Sequence, residues 1–92
     1  MSLMCKDPQA RVDHGFDWSA YLAGQNIVAS LWIVTPGEAG GVVVEADAHE
    51  AQRTSVRLSG GMVGRLYRVT NRVTLSDGQE DERSSLVRVE ER

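Results

Sequence analysis

The chain has 92 residues, 41% hydrophobic but only 5% aromatic, with a formal net charge of −3 and a pI near 5.3. That length is one domain's worth of chain, whose thin core hides only about 60–65% of the unfolded surface. The acidic balance argues against a nucleic-acid binder, which needs basic excess to meet phosphates; no apolar run approaches the roughly 20 residues of a membrane span, and no signal peptide opens the chain.

In chain order, Met1-Ser2-Leu3 ahead of Met4 reads as a tag-derived leader. Residues 1–11 are expected to be an extended segment outside the fold, with one domain over 12–92. The single cysteine, Cys5, rules out an intrachain disulfide, so packing alone must hold the core. Phe16-Asp17-Trp18 fits a short edge strand. Ser19 to Ala23 fits one helical turn, capped by Ser19 and ended by a left-handed Gly24. Asn26 to Val34 is a strand rich in β-branched residues. Apolar residues on both of its faces predict a central position in a sheet. Pro36-Gly37 breaks it and Gly40-Gly41 resets the chain. Val42 to Ala46 follows, with Val42 and Val44 inward, then a polar turn from Asp47 to Gln52.

Thr54 to Leu58 alternates cleanly, with Thr54, Val56 and Leu58 inward and Ser55 and Arg57 outward. Ser59-Gly60-Gly61 reads as a loop. Leu66 to Leu75 is the longest strand. Tyr67, Val69, Val73 and Leu75 share one face, interrupted by Asn71, which needs hydrogen-bond partners if buried. The last strand puts Val87 and Val89 on one face, Arg88 and Glu90 on the other. Between these strands a two-residue turn would send the valines to the arginine face. A three-residue loop, Asp77 to Gln79 with Gly78 at positive φ, keeps them inward and sets Val69 opposite Val87 and Tyr67 opposite Val89. Six or seven short strands without a long helix predict an antiparallel β-sandwich, a small barrel being the competing closure.

Chemistry-bearing residues are sparse. His14 beside Asp13 and Asp17, and His49 beside Glu50, match no metal spacing and read as solvated loop histidines. Ser84 and Ser85 lack the surrounding turn of a nucleophile and read as strand residues. Gly60, Gly61 and Gly64 precede a strand, without the lysine of a phosphate loop. Arg65, Arg68, Arg72 and Arg88 form a basic stripe. Of these, Arg68, Arg72 and Arg88 share an outer sheet face that suits an acidic partner or carbohydrate. The plainer reading is a solvated face balanced by Glu80, Asp81, Glu82 and Glu90. Trp18, with Tyr21 beside it, is the best candidate for a partner-binding anchor, or else caps one end of the core. Trp32 and Tyr67 belong to the core.

Ser30-Leu31-Trp32 with Pro36 downstream resembles the second strand of fibronectin type III domains. Gly64-Arg65-Leu66-Tyr67-Arg68-Val69 resembles their sixth strand with its tyrosine corner. Together they point to an immunoglobulin-like or fibronectin type III-like sandwich. The spacing from Leu58 to Tyr67 is longer than that family's and implies a variant topology.

The run from Val12 to Arg92 also resembles the small phage and prophage fiber–tail adaptor proteins. The resemblance rests on Phe16-Asp17-Trp18-Ser19, on Ile27 with Ser30 and Trp32, on Leu58-Ser59-Gly60-Gly61, on Tyr67 through Val73, and on Asp81-Glu82-Arg83-Ser84. It implies a non-enzymatic virion structural protein, made in the host cytoplasm and placed in the tail. It also implies several copies, tail or fibre proteins as partners, and no catalytic, cofactor or metal residues. The other function class open to these residues is a free-standing adhesion or carbohydrate- or protein-binding module that presents Trp18 and Tyr21.

Overall fold

In a computed structural model, which describes residues 2–91, the chain forms seven strands and a single 3₁₀ turn at Ser19–Tyr21. The strands are β1 (Ser2–Lys6), β2 (Val12–Asp17), β3 (Ile27–Thr35), β4 (Val42–His49), β5 (Arg53–Gly60), β6 (Leu66–Leu75) and β7 (Glu80–Val89). They make two sheets, β1-β7-β6-β3 and β2-β5-β4. Two separate sheets rather than one closed one make this an immunoglobulin-like sandwich, not a barrel. It measures 42 × 21 × 17 Å.

Alternation builds the core. Tyr67, Val69, Val73 and Leu75 of β6 and Val87 and Val89 of β7 are buried from one sheet, Val56 and Leu58 of β5 from the other. Trp32 and Val42 complete the larger cluster. Trp18, Leu22 and Ile27 join Val73 and Leu75 in a second cluster at one end.

Asn71 sits in the middle of the apolar face of β6 and is fully buried. Its Oδ1 accepts from Trp18 Nε1 at 3.0 Å and from Thr54 Oγ1 at 2.6 Å. Its Nδ2 donates to Ser30 Oγ at 2.9 Å and to the Leu31 carbonyl at 3.2 Å. All four of its hydrogen-bonding positions are used, and the partners come from both sheets. At the opposite end, Tyr67 makes the expected corner. Its hydroxyl accepts from the Met62 N–H at 3.2 Å and donates to Glu38 Oε1 at 2.7 Å. Gly61 (φ +114°) passes so close to Val89 that a Cβ there would lie 2.6 Å from Val89 Cγ2, so only glycine fits.

Several expectations need correction. The segment expected to precede the sandwich supplies β1, which pairs in parallel with β7, Leu3 opposite Leu86. This contact spans most of the chain and leaves no local pattern. Lys6 ends β1 buried, because its Nζ donates to the carbonyls of Asp7 and Gly60. The turn after β2 has Trp18 rather than Ser19 at its N-cap, with no side-chain cap, and Asp17 Oδ1 accepts the Ser19 N–H. Gly24 is left-handed as expected, and Ala23 before it also has positive φ.

β3 is an edge strand rather than a central one. Its second apolar face is exposed, with Val28 at 56%, Leu31 at 54% and Ile33 at 43%. β4 runs on to His49 through a bulge between Val44 and Ala46, and β5 extends through Ser59 and Gly60. The β6–β7 loop has the expected three residues, but they are Ser76 to Gly78. The Leu75 N–H donates to the Gln79 carbonyl and the Gly78 N–H to that of Leu75. The left-handed residue of such a loop stands last, so Gly78 (φ +91°) closes it. The register moves by two residues from the expected one: Tyr67 faces Val87 and Val69 faces Ser85. An even shift leaves every side chain on its face.

The two tryptophans differ in polar bonding. Trp18 Nε1 reaches Asn71 and Thr54, whereas the buried Trp32 Nε1 has no partner among the described residues. Trp18→Phe should therefore cost about 1–3 kcal/mol more than Trp32→Phe, because it leaves a buried acceptor short of a donor. Urea denaturation of the two variants checks this.

Candidate functional site

Trp18 lies wholly inside, at 0% exposure. It belongs to the core and cannot itself anchor a partner. Tyr21, on the 3₁₀ turn, is 56% exposed and packs edge-on against Trp18 at 6.0 Å between ring centroids. Phe16 lies edge-on to Trp18 at 6.3 Å and stacks flat on Trp32 at 5.7 Å. Into this row reaches Arg83 from β7. Its guanidinium carbon stands 4.6 Å from the Phe16 centroid, 5.0 Å from Tyr21 and 5.3 Å from Trp18. Arg83 Nη1 donates to the Asp17 carbonyl at 2.8 Å.

A shallow depression of about 420 Å³ opens beside it, lined by Phe16, Tyr21 and Arg83 together with Ser2, Glu82 and Ser84. A planar cation among three rings is a strong local clamp. It joins two of the segments that carry the family resemblance, Phe16 to Ser19 and Asp81 to Ser84. The sequence reading did not single out Arg83 as a site residue. The signal was present, because Arg83 shares the face of Ser85, Val87 and Val89 and so had to point inward.

Arg68, Arg72 and Arg88 do share the outer face of the four-stranded sheet, away from the aromatic cluster. Arg72 stands opposite Glu82, Arg68 opposite Leu86 and Arg88 opposite Leu66. Arg72 pairs with Glu82 at 3.3 Å and Arg88 reaches Glu90 at 4.0 Å. Arg65 reaches Glu38 at 3.9 Å, behind the tyrosine corner. Arg68 has no carboxylate within 4.0 Å among the described residues. The predicted candidates thus fall in two places, the Tyr21–Arg83 cluster and the arginine face.

His14 is not a solvated loop residue. It lies half-buried on β2, edge-on to Phe16 at 5.2 Å, and its Nε2 meets Ser85 Oγ at 2.9 Å. Burial holds its pKa below the ordinary histidine value. Ser85 Oγ also meets Ser2 Oγ at 2.8 Å, and Ser85 itself is fully buried. This Ser–His contact, between half-buried His14 and buried Ser85, links the two sheets. Ser84 bonds Thr70 across the outer face. His49 is exposed at the end of β4, beside a depression of about 440 Å³ that includes Glu50 and Arg53. Among the described residues, no three His, Cys, Asp or Glu side chains converge as metal ligands would. Asp13 and Arg57 form a two-point ion pair on the outer face of the other sheet, at 2.9 and 3.3 Å, which holds the Asp13 carboxyl below its usual pKa.

Comparison with known proteins gives two findings. Residues 6–88 match the family model described as "Podophage GP4 fiber-tail adaptor protein gp77". The solution structure of the PKD domain from KIAA 1837 protein superposes with a TM-score of 0.56 at 23% identity, over 98% of this chain and 79% of that one. That likeness concerns the fold alone. No curated protein matches the sequence.

Two outcomes follow from this geometry. Because the His14 pKa is lowered in the fold, the unfolded chain takes up its proton first as the pH falls. Stability is then lost from about pH 6.5 downward, the unperturbed histidine value, until the folded form titrates too. The stability curve of His14→Gln between pH 7.5 and 5 should be flatter than that of the parent. Arg83→Ala should lower stability by about 1–3 kcal/mol through loss of the stacked cation, measured by chemical denaturation at neutral pH.

Proposed function

The chain belongs to the podophage fiber-tail adaptor family, and on that premise we propose that it is a non-enzymatic structural component of a phage virion that docks tail and fibre proteins to each other. The observation that carries this reading is the family match across residues 6–88, which spans both sheets. The physical character of the domain supports it. A docking module has to keep its shape under load, and here both ends of the sandwich are fixed by polar contacts, at Asn71 and at Tyr67. The close Ser–His contact among the described residues, with half-buried His14 and buried Ser85, joins the two sheets. The surface is rich in ion-paired charge and offers faces and edges rather than a deep cleft. Repeated copies of such a domain suit a symmetric tail assembly.

The test is light scattering on the purified domain, alone and mixed with the tail and fibre proteins of the same phage. A stable complex with one of them is the expected outcome. A domain that ignores both overturns the reading.

A further inference from the structure

A sheet edge is a row of backbone groups ready to pair with another chain, and natural proteins guard such edges with charges, bulges or short strands. The sandwich has four edge strands, and three are guarded in this way. β1 has five residues and ends in Lys6; β2 carries Asp13 and Asp17; β4 carries Glu45 and Asp47 and a bulge. β3 differs. Its nine residues, Ile27–Thr35, hold no charge and no proline, and its single register shift lies at the start, between Ile27 and Ala29. β6 is its one ladder partner among the described residues; β4, joined to it through residues 36–41, packs close to it but makes no ladder with it. Val28, Leu31 and Ile33 stand more than 40% exposed on its outer side.

One strand inward from this edge, across β3 from it, lies Arg68. It stands on β6 opposite Thr35, on the same outer face as Leu31 and Ile33. Its neighbours Arg72 and Arg88 have carboxylates within reach, while Arg68 has none within 4.0 Å among the described residues. The charge that would complete this face is therefore a carboxylate from outside.

We propose that the free edge of β3 is the docking site for an extended, apolar segment of a tail or fibre protein, which adds to the four-stranded sheet as a fifth strand and sets an acidic side chain against Arg68. The inference rests on the adaptor reading and specifies the surface that serves it. Main-chain hydrogen bonds along β3 supply affinity, and alternate side chains over Leu31 and Ile33 supply selectivity. A second copy of this chain fits less well. Paired through the same strand, it would bring Arg68 an uncharged segment.

The experiment is hydrogen exchange on the domain, free and in complex with the tail or fibre protein it binds, together with affinities for Ile33→Lys and Arg68→Glu. Both residues are exposed, and unchanged melting temperatures confirm that the variants fold. Protection of β3 amides in the complex, with affinity falling about tenfold or more in each variant, is expected. The loss in Arg68→Glu should shrink at high salt. A complex that leaves β3 unprotected and tolerates both variants overturns the β3 site while the adaptor reading stands. Protection of β3 in the isolated domain, rising with its concentration, assigns the edge to a second copy and overturns the proposal. Absence of any complex with the parent domain removes the adaptor reading and this inference together.

Discussion

One buried side chain, Asn71, ties the sandwich together. It lies on the apolar face of the longest strand, where an unpaired amide would cost more than any neighbouring valine returns. Instead its oxygen collects Trp18 and Thr54 and its nitrogen holds Ser30 and the Leu31 carbonyl. The consequences spread outward. Trp18 is held in the core, so the 3₁₀ turn that follows it must stand over that end. Thr54 fixes β5 of the opposite sheet relative to β6. Ser30 and Leu31 fix β3 alongside. A fully satisfied polar cluster of this kind specifies one arrangement of two sheets where apolar packing alone would tolerate several.

The far end uses the same logic with different groups. Tyr67 is buried as a ring and bonded as a hydroxyl, to Met62 on one side and Glu38 on the other. Burial raises its pKa, so it remains a neutral donor to the carboxylate. Lys6 pins the end of β1 to the carbonyl of Gly60. Between these ends the core is valine and leucine, and the aromatic residues gather toward the Asn71 end. There Arg83 closes the row of rings from the side. A chain with few aromatics thus concentrates them where a strand, a turn and the opposite sheet meet.

Much of this was legible in the residues. The alternation of β5, β6 and β7 set their inward faces, and Asn71 announced itself as a polar residue in an apolar row. Gly78 signalled the odd hairpin loop, although it closes the loop rather than sitting in its middle. Arg83 was legible too, through its parity with Ser85 and Val87, but charge drew the eye to the outward arginines. Other features had no local sign. β1 pairs in parallel with the last strand, a contact set by the whole chain. β3 carries apolar residues on both faces, which normally means burial on both. Here one of those faces is open, because no second layer packs over the outer side of the four-stranded sheet there. His14 looked solvated beside two aspartates, yet the strand turns its ring inward to Phe16 and Ser85.

The sequence by itself determined the fold class, the strand faces and the family, because side-chain alternation and turn chemistry are local and a fingerprint is read in order. The tertiary structure alone decided which strands became edges, which tryptophan was bonded, and which arginine of the outer sheet face has no carboxylate within 4.0 Å among the described residues. These are properties of neighbours brought together from distant points of the chain. Periodicity records which way a side chain points, and carries no information about what it will meet.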